Sequence, residues 1–331
     1  MTVEELKRVL SLLYGQDEWP KPFRLLSGLD AVADGFSYAD AARLVGTSSQ
    51  RLKKLTEAPD VVAELLGPLP PEYESKVQKV RGTIGQLIIG NLAERVFEQI
   101  YKETVGTSEL RLEDDRSTGG DTDYLVKNGQ DRQVFRLNIK FHGSQFRKAR
   151  ELVELDPENC FALATYKIYS ALQKQEREHL PYIFVIVGVP NLTGATVGSV
   201  LPEPVAEFAT RARHSPKFVG KRKIEDVIVR AMTARPADFG AEQALIRYED
   251  QIRRAPWKVL SARRADLLLR EKLFDRAYAL RVRGFAMNYR GAELDMHFSI
   301  DEDLHPLEEL LSVLRDGGMP ALISRLERGT F

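Results

Sequence analysis

The sequence predicts an α/β protein with a helical N-terminal domain, a central core of helix, three strands, helix and strand, and a mixed α+β C-terminal region. Three observations carry this. Apolar residues recur at helical spacing through the N-terminal segment and again over residues 77–104. Strand-like segments follow at 109–113, 121–127 and 132–142, the last alternating with period two. A helical pattern near 159–177 then leads into Tyr182-Ile-Phe-Val-Ile-Val187, a short apolar run of the kind found in strands buried on both faces. The expected domains are 1–76, 77–195 and 196–331.

In the first segment, Val3, Leu6, Val9, Leu10 and Leu13 mark one helix, and Leu25, Leu26, Leu29 and Val32 a second. Ser37 caps a third, with Asp40 placed to suit the helix dipole. Gly46 ends it, because glycine takes the left-handed conformation at little cost. Thr47 is expected to cap a fourth helix, with Gln50 as its capping-box partner. Ala42 permits a close helix crossing, and Leu44, Leu52 and Leu55 are expected to face inward. The pair resembles a helix-turn-helix. Ser48, Ser49, Gln50, Arg51, Lys53 and Lys54 would then stand where such a motif meets bases and phosphates. Pro68, Pro70 and Pro71 form a linker.

The core opens with a long helix whose apolar positions are Ile84, Leu87, Ile88, Leu92, Val96, Phe97 and Ile100, with Glu94 among them. Asn128-Gly129 is a tight-turn signal between the second and third strands. On the third strand Phe135, Leu137, Ile139 and Phe141 share one face, and Val134, Arg136, Asn138, Lys140 and His142 the other. Polar groups on a strand that should be buried on both sides need partners or a task. Asp123, at the start of the second strand, can lie beside Asn138 and Lys140. Phe161, Tyr166 and Tyr169 read as core residues, and Lys167 as a second-line phosphate contact. The C-terminal region reads as helices near 200–213, 222–234, 239–254 and 261–274, the last capped by Ser261. A hairpin at 276–300 through Tyr289-Arg-Gly291 and helices near 306–315 and 319–327 follow.

At 331 residues there is ample chain to bury a core, and 43% hydrophobic with 29% charged residues is ordinary for a soluble globular protein. Lysine and arginine (48) balance aspartate and glutamate (48), which argues against nucleic-acid binding through bulk charge alone. Residues 207–290 nevertheless hold twenty Lys+Arg against ten Asp+Glu, enough for a local positive field and a DNA-binding or dimerisation role. One cysteine, Cys160, excludes an intramolecular disulfide and a cysteine-based zinc cluster. The start lacks a signal-peptide pattern, and no apolar run approaches the ~20 residues of a membrane span. A cytoplasmic protein without membrane association is expected.

An aspartate, an amide and a lysine converging across two strands can hold a divalent cation beside a phosphodiester. At Glu94, Gly120-Asp-Thr-Asp123 and Asn138-Ile-Lys140 the chain resembles the PD-(D/E)xK nuclease superfamily, of restriction-endonuclease-like fold, over roughly residues 80–190. The resemblance implies Asp123 as the motif aspartate, with Asp121 its rival, Asn138 in the acidic position, Lys140 as the lysine and Glu94 as a helper. It implies Mg²⁺ (Mn²⁺ as substitute) held by Asp123, Asn138, Glu94 or Asp121, with His142 and Gln145 as further DNA contacts. The departure is Asn138, since a neutral amide is a weaker ligand than a carboxylate and is no base. The expected activity is a Mg²⁺-dependent endodeoxyribonuclease of a type II restriction or genome-defence system, acting on double-stranded DNA, with a homodimer allowed. The alternative is a catalytically inactive nuclease-fold DNA-binding protein or regulator that uses its helix-turn-helix.

Overall fold

The computed structural model describes residues 1–106, 109–118, 122–143, 145–218, 223–275 and 295–331. Helices α1 (Val3–Leu13), α2 (Arg24–Ala33), α3 (Tyr38–Val45), α4 (Ser49–Glu57) and α5 (Val61–Leu66) precede the long α6 (Tyr73–Val105). Next come β1 (Arg111–Asp114), β2 (Tyr124–Lys127), β3 (Gln133–His142), α7 (Ala149–Val153), β4 (Cys160–Ala164), α8 (Thr165–Glu178) and β5 (Tyr182–Gly188). Helices α9 (Gly194–Gly198), α10 (Glu203–His214), α11 (Ile224–Ala234) and α12 (Glu242–Arg254) follow. Then come β6 (Trp257–Ser261), α13 (Ala262–Asp275), β7 (Asp295–Ser299), β8 (His305–Pro306), α14 (Leu307–Arg315) and α15 (Met319–Arg328).

The chain forms two compact units, each built from two segments: Met1–Ile89 with Thr193–Arg247, and Gly90–Leu192 with Tyr248–Phe331. These do not coincide with boundaries at 76/77 and 195/196. Residues 193–247 close with the N-terminal helices, and 248–331 with the strands. The basic stretch 207–290 is thereby divided between the units.

Unit 1 is helical. α1 buries Leu6, Val9, Leu10 and Leu13, and Thr2 with Glu5 forms a capping box at its start. Phe23, Phe208 and Phe218 cluster with ring centroids 5.8–6.2 Å apart. Arg211 on α10 reaches the Asp60 carboxylate at 2.5 Å, and Asp60 also caps α5. At the crossing of α6 and α9, a Cβ on Gly85 would lie 1.9 Å from the Gly194 carbonyl oxygen, so only glycine fits.

Helices α2, α3 and α4 pack together. Ser37 accepts from the Asp40 N–H at 3.1 Å, and Gly46 sits in the left-handed region (φ 68). Two details differ from expectation. Ser48, not Thr47, is the N-cap of α4, and it accepts from the Arg51 N–H at 3.3 Å. The turn after Gly46 uses one residue more before the chain enters the helix. Leu44 is 67% exposed rather than inward, because Ala41 and Ala42 take the buried stripe of α3 while Leu52 and Leu55 face inward on α4. The closest approach falls at Gly28, where a Cβ would meet Val45 and Leu52.

Unit 2 is mixed α/β, and its described residues form a six-stranded sheet of order β1-β2-β3-β5-β6-β8. β2 runs antiparallel to both β1 and β3, β5 runs parallel to β3, and β6 and β8 continue antiparallel. From α6 to β5 the order is helix, three strands, the short α7, β4 of a second sheet, α8 and β5, with α8 in the crossover that a parallel pair requires. One face packs on α6: Phe97 lies 5.8 Å from Tyr124 and 6.0 Å from Trp257, centroid to centroid. On the other face Phe184 and Ile186 of β5 share a cluster with Ile168 and Leu172 of α8 and with Ala265 and Leu268 of α13.

Three local expectations need correction, and a fourth lies outside the described residues. The helix expected over 159–177 begins as β4, which pairs antiparallel with β7 (Cys160↔Ser299), a partner far away in sequence. β6 was absent from the expected elements, although Ser261 at its end does cap α13, accepting from the Arg264 N–H at 3.1 Å. Asn128-Gly129 does not make a two-residue turn. Residues 128–132 form a longer loop closed by the Asn128 side chain, which accepts from Gln130 and Arg132 at 3.0 Å. The hairpin turn at Tyr289-Arg-Gly291 lies outside the described residues, and only Asp295–Ser299 of that region is a described strand.

Candidate active site

Register brings the expected residues together. β2 and β3 pair with Tyr124 opposite Leu137 and Leu125 opposite Arg136, so Asp123, one step earlier, falls opposite Asn138. The Asp123 carboxylate accepts from the Ile139 N–H at 2.6 Å, and its own carbonyl accepts from the Asp115 N–H at 3.1 Å. Asn138 and Lys140 lie beside Phe184 and Ile186 in the parallel pairing, hence on the face covered by α8. Glu94 reaches the strand mouth from α6. Its carboxylate pairs with Arg116, which also holds Asp114 at 3.0 Å. The Tyr124 hydroxyl donates to the Glu94 carbonyl at 3.2 Å and fixes that turn of α6 against β2.

Electrostatics tie these groups into one cluster. Burial, then the nearby Asp123 charge, push the Glu94 carboxyl up to about 7. The Asp123 carboxyl is also raised, by burial first, with the Ile139 N–H, Lys140 and Arg116 opposing. Burial pushes the Lys140 ammonium down, Asp123 and Glu94 pull it up, and Lys167 adds to the depression. Two carboxylates and a desolvated lysine that sense one another make a pattern associated with functional sites. Asp121 lies outside the described residues.

Beneath the cluster is a buried ion network that the sequence reading missed. Arg136 binds Asp115 at 2.6 Å, Thr122 at 3.0 Å and Glu178 of α8 at 2.6 Å. It pins the loop after β1, strand β3 and helix α8 to one another. The signal available in the sequence was an arginine in a strand buried on both faces, which requires acidic partners.

Asn138 is 7% exposed, and its side-chain oxygen has no hydrogen-bond partner. It lines a cavity of about 380 Å³ between β3 and α8, with Lys140, Tyr166, Lys167, Lys174 and Arg177. Phe161 is core, as expected, but Tyr166 and Tyr169 are half exposed (49% and 50%). They stand on the outer face of α8, whose inner face is taken by Ile168, Ala171 and Leu172. A larger cleft of about 870 Å³ opens at the ends of β3 and β5, lined by His142, Gln145, Arg150, Glu158 and Lys258. Burial lowers the His142 pKa, and its ring meets Phe161 edge-on at 6.0 Å.

In unit 1, Ser48, Ser49, Gln50, Arg51, Lys53 and Lys54 are all exposed along α4, and Lys54 pairs with Glu64 at 3.3 Å. Among the described residues no group of three or more His, Cys, Asp or Glu side chains is arranged to hold a metal ion. No helix among them is long and apolar enough to cross a membrane. No protein-family model matches the chain, and no curated protein or solved structure is significantly similar to it.

Proposed function

We propose that the protein is a divalent-metal-dependent nuclease of the restriction-endonuclease-like, PD-(D/E)xK type. The observation that carries this reading is the cluster at the strand mouth: burial raises the carboxyls of both Glu94 and Asp123, and the Asp123 charge raises Glu94 further, beside the desolvated Lys140. The element order from α6 to β5 supports it. A cation beside two such carboxylates relieves their repulsion, and Mg²⁺ commonly binds through one or two carboxylates, substrate phosphate and retained waters. The donors present are of that kind. Asp123 and Glu94 would hold the ion, with Asn138, whose buried side-chain oxygen has no hydrogen-bond partner, as the further oxygen donor. When bound, the metal polarises the phosphoryl oxygen and acidifies water. Lys140 offsets the charge that builds on the attacked phosphate. The Ile139 N–H holds the Asp123 carboxylate in place. The exposed residues of α4 would bring DNA to the site, in a restriction or genome-defence setting, with Mn²⁺ as substitute and a homodimer cutting both strands.

Metal-dependent cleavage of plasmid DNA, abolished by Asp123→Ala and by Lys140→Ala, is the expected result. DNA binding with no cleavage in Mg²⁺ or Mn²⁺ would sink the reading. It would favour a non-catalytic DNA-binding regulator, for which the Arg116–Glu94 pair, a protein cation in the metal's place, is the supporting observation.

A further inference from the structure

The cavity between β3 and α8 has a chemistry of its own. Lys140, Lys167, Lys174 and Arg177 line it and, among the described residues, no carboxylate does; Asp115 pairs with Arg136, and Glu178 pairs with Arg136 and, at 3.1 Å, with Arg177. Such a lining calls for an anion. Asn138 is also among its lining residues, with its side-chain oxygen buried. Tyr166 adds an aromatic ring at the rim, half exposed, with the Lys167 ammonium 5.9 Å from its centre. Cationic side chains interleaved with an exposed aromatic ring are how proteins hold single-stranded nucleic acid. About 380 Å³ lies within the range of small-ligand pockets, and a duplex does not fit.

We infer that this pocket receives one unpaired nucleotide, its phosphate on Lys167 and Lys140 and its base on Tyr166. The inference deepens the nuclease reading, because it makes a flipped-out or single-stranded nucleotide the species presented beside Lys140. It does not require that any bond be cut.

The test uses the full chain in EDTA. Binding of a fluorescent single-stranded 12-mer and of AMP is measured for the native protein and for Tyr166→Ala and Lys167→Gln, both at exposed positions that leave the core intact. Each variant is expected to bind the single strand about tenfold more weakly, with a blunt duplex of the same sequence unaffected. The native protein is expected to bind AMP, and each variant to bind it more weakly. Unchanged single-strand binding in both variants overturns the proposal, as does an equal loss on single strand and duplex, which marks a general phosphate surface. Absence of cleavage in any metal, with this binding intact, removes the nuclease reading and leaves the pocket standing. Cleavage with no effect of Tyr166 or Lys167 does the reverse.

Discussion

Glu94 offers a measurement that joins stability to the site. Its carboxyl is moved from an ordinary 4.5 to about 7, by burial first and by Asp123 second, against the pull of Arg116. The native state therefore binds the proton more tightly than the unfolded chain does. Stability falls as pH rises through the window from about 4.5 to about 7 and is flat beyond it. At ~1.4 kcal/mol for each tenfold change, the ionised group costs the fold about 3 kcal/mol above pH 7. Its side chain is only 16% exposed, so little of this is screened. Glu94→Gln removes the cost. Calorimetry at pH 4.5 and pH 8 is expected to show equal stability at the lower pH. At the higher, the variant's melting temperature for unit 2 is expected to be roughly 6–12 °C above the native value. Addition of Mg²⁺ at pH 8 is expected to raise the native protein and not the variant. A Glu94→Gln protein no more stable than the native one at pH 8 would refute the argument that burial and Asp123 load this carboxylate.

Further outcomes follow from the packing. Arg136→Met leaves Asp115 buried without its guanidinium partner and is expected to destabilise unit 2 by about 3–5 kcal/mol in urea unfolding. Replacing Asp115 as well, by Asn, is expected to cost less than the two changes summed. Gly85→Ala drives a Cβ into the Gly194 carbonyl and is expected to lower stability by at least ~1–3 kcal/mol, whereas Gly82→Ala, with open space around it, is not. Ser48→Ala is expected to cost about 1 kcal/mol through loss of the α4 cap, and Thr47→Ala less than ~0.5 kcal/mol.

Local chemistry was readable because its causes are local. The alternation along β3 separated Phe135, Leu137 and Ile139 from Arg136, Asn138 and Lys140, and all but Lys140 are buried on their respective faces. Ser37 and Gly46 bounded α3 because capping and left-handed geometry depend on neighbours one to three residues away. The misplacement of the α4 cap shows the limit: Thr47 and Ser48 both suit an N-cap, and the length of the turn chose between them. β4 read as part of a helix because a five-residue strand paired with a segment about 140 residues away leaves no trace in its own periodicity.

The site divides the same way. From sequence alone came the candidates Asp123, Asn138 and Lys140, since a polar run in a strand buried on both faces is unusual wherever the chain goes, and Glu94, a carboxylate among the apolar positions of a helix. Only the tertiary structure decided that Asp123 falls opposite Asn138, that Glu94 senses Asp123, and that Arg116 and Arg136 occupy the surrounding acids. It also assigned residues 193–247 to the helical unit and turned Tyr166 outward over a lysine-lined cavity. The physical reason is that periodicity and capping are set within a few residues. Register, desolvation and charge coupling depend on which distant segments meet, and the free energy that selects those meetings is shared across the whole core.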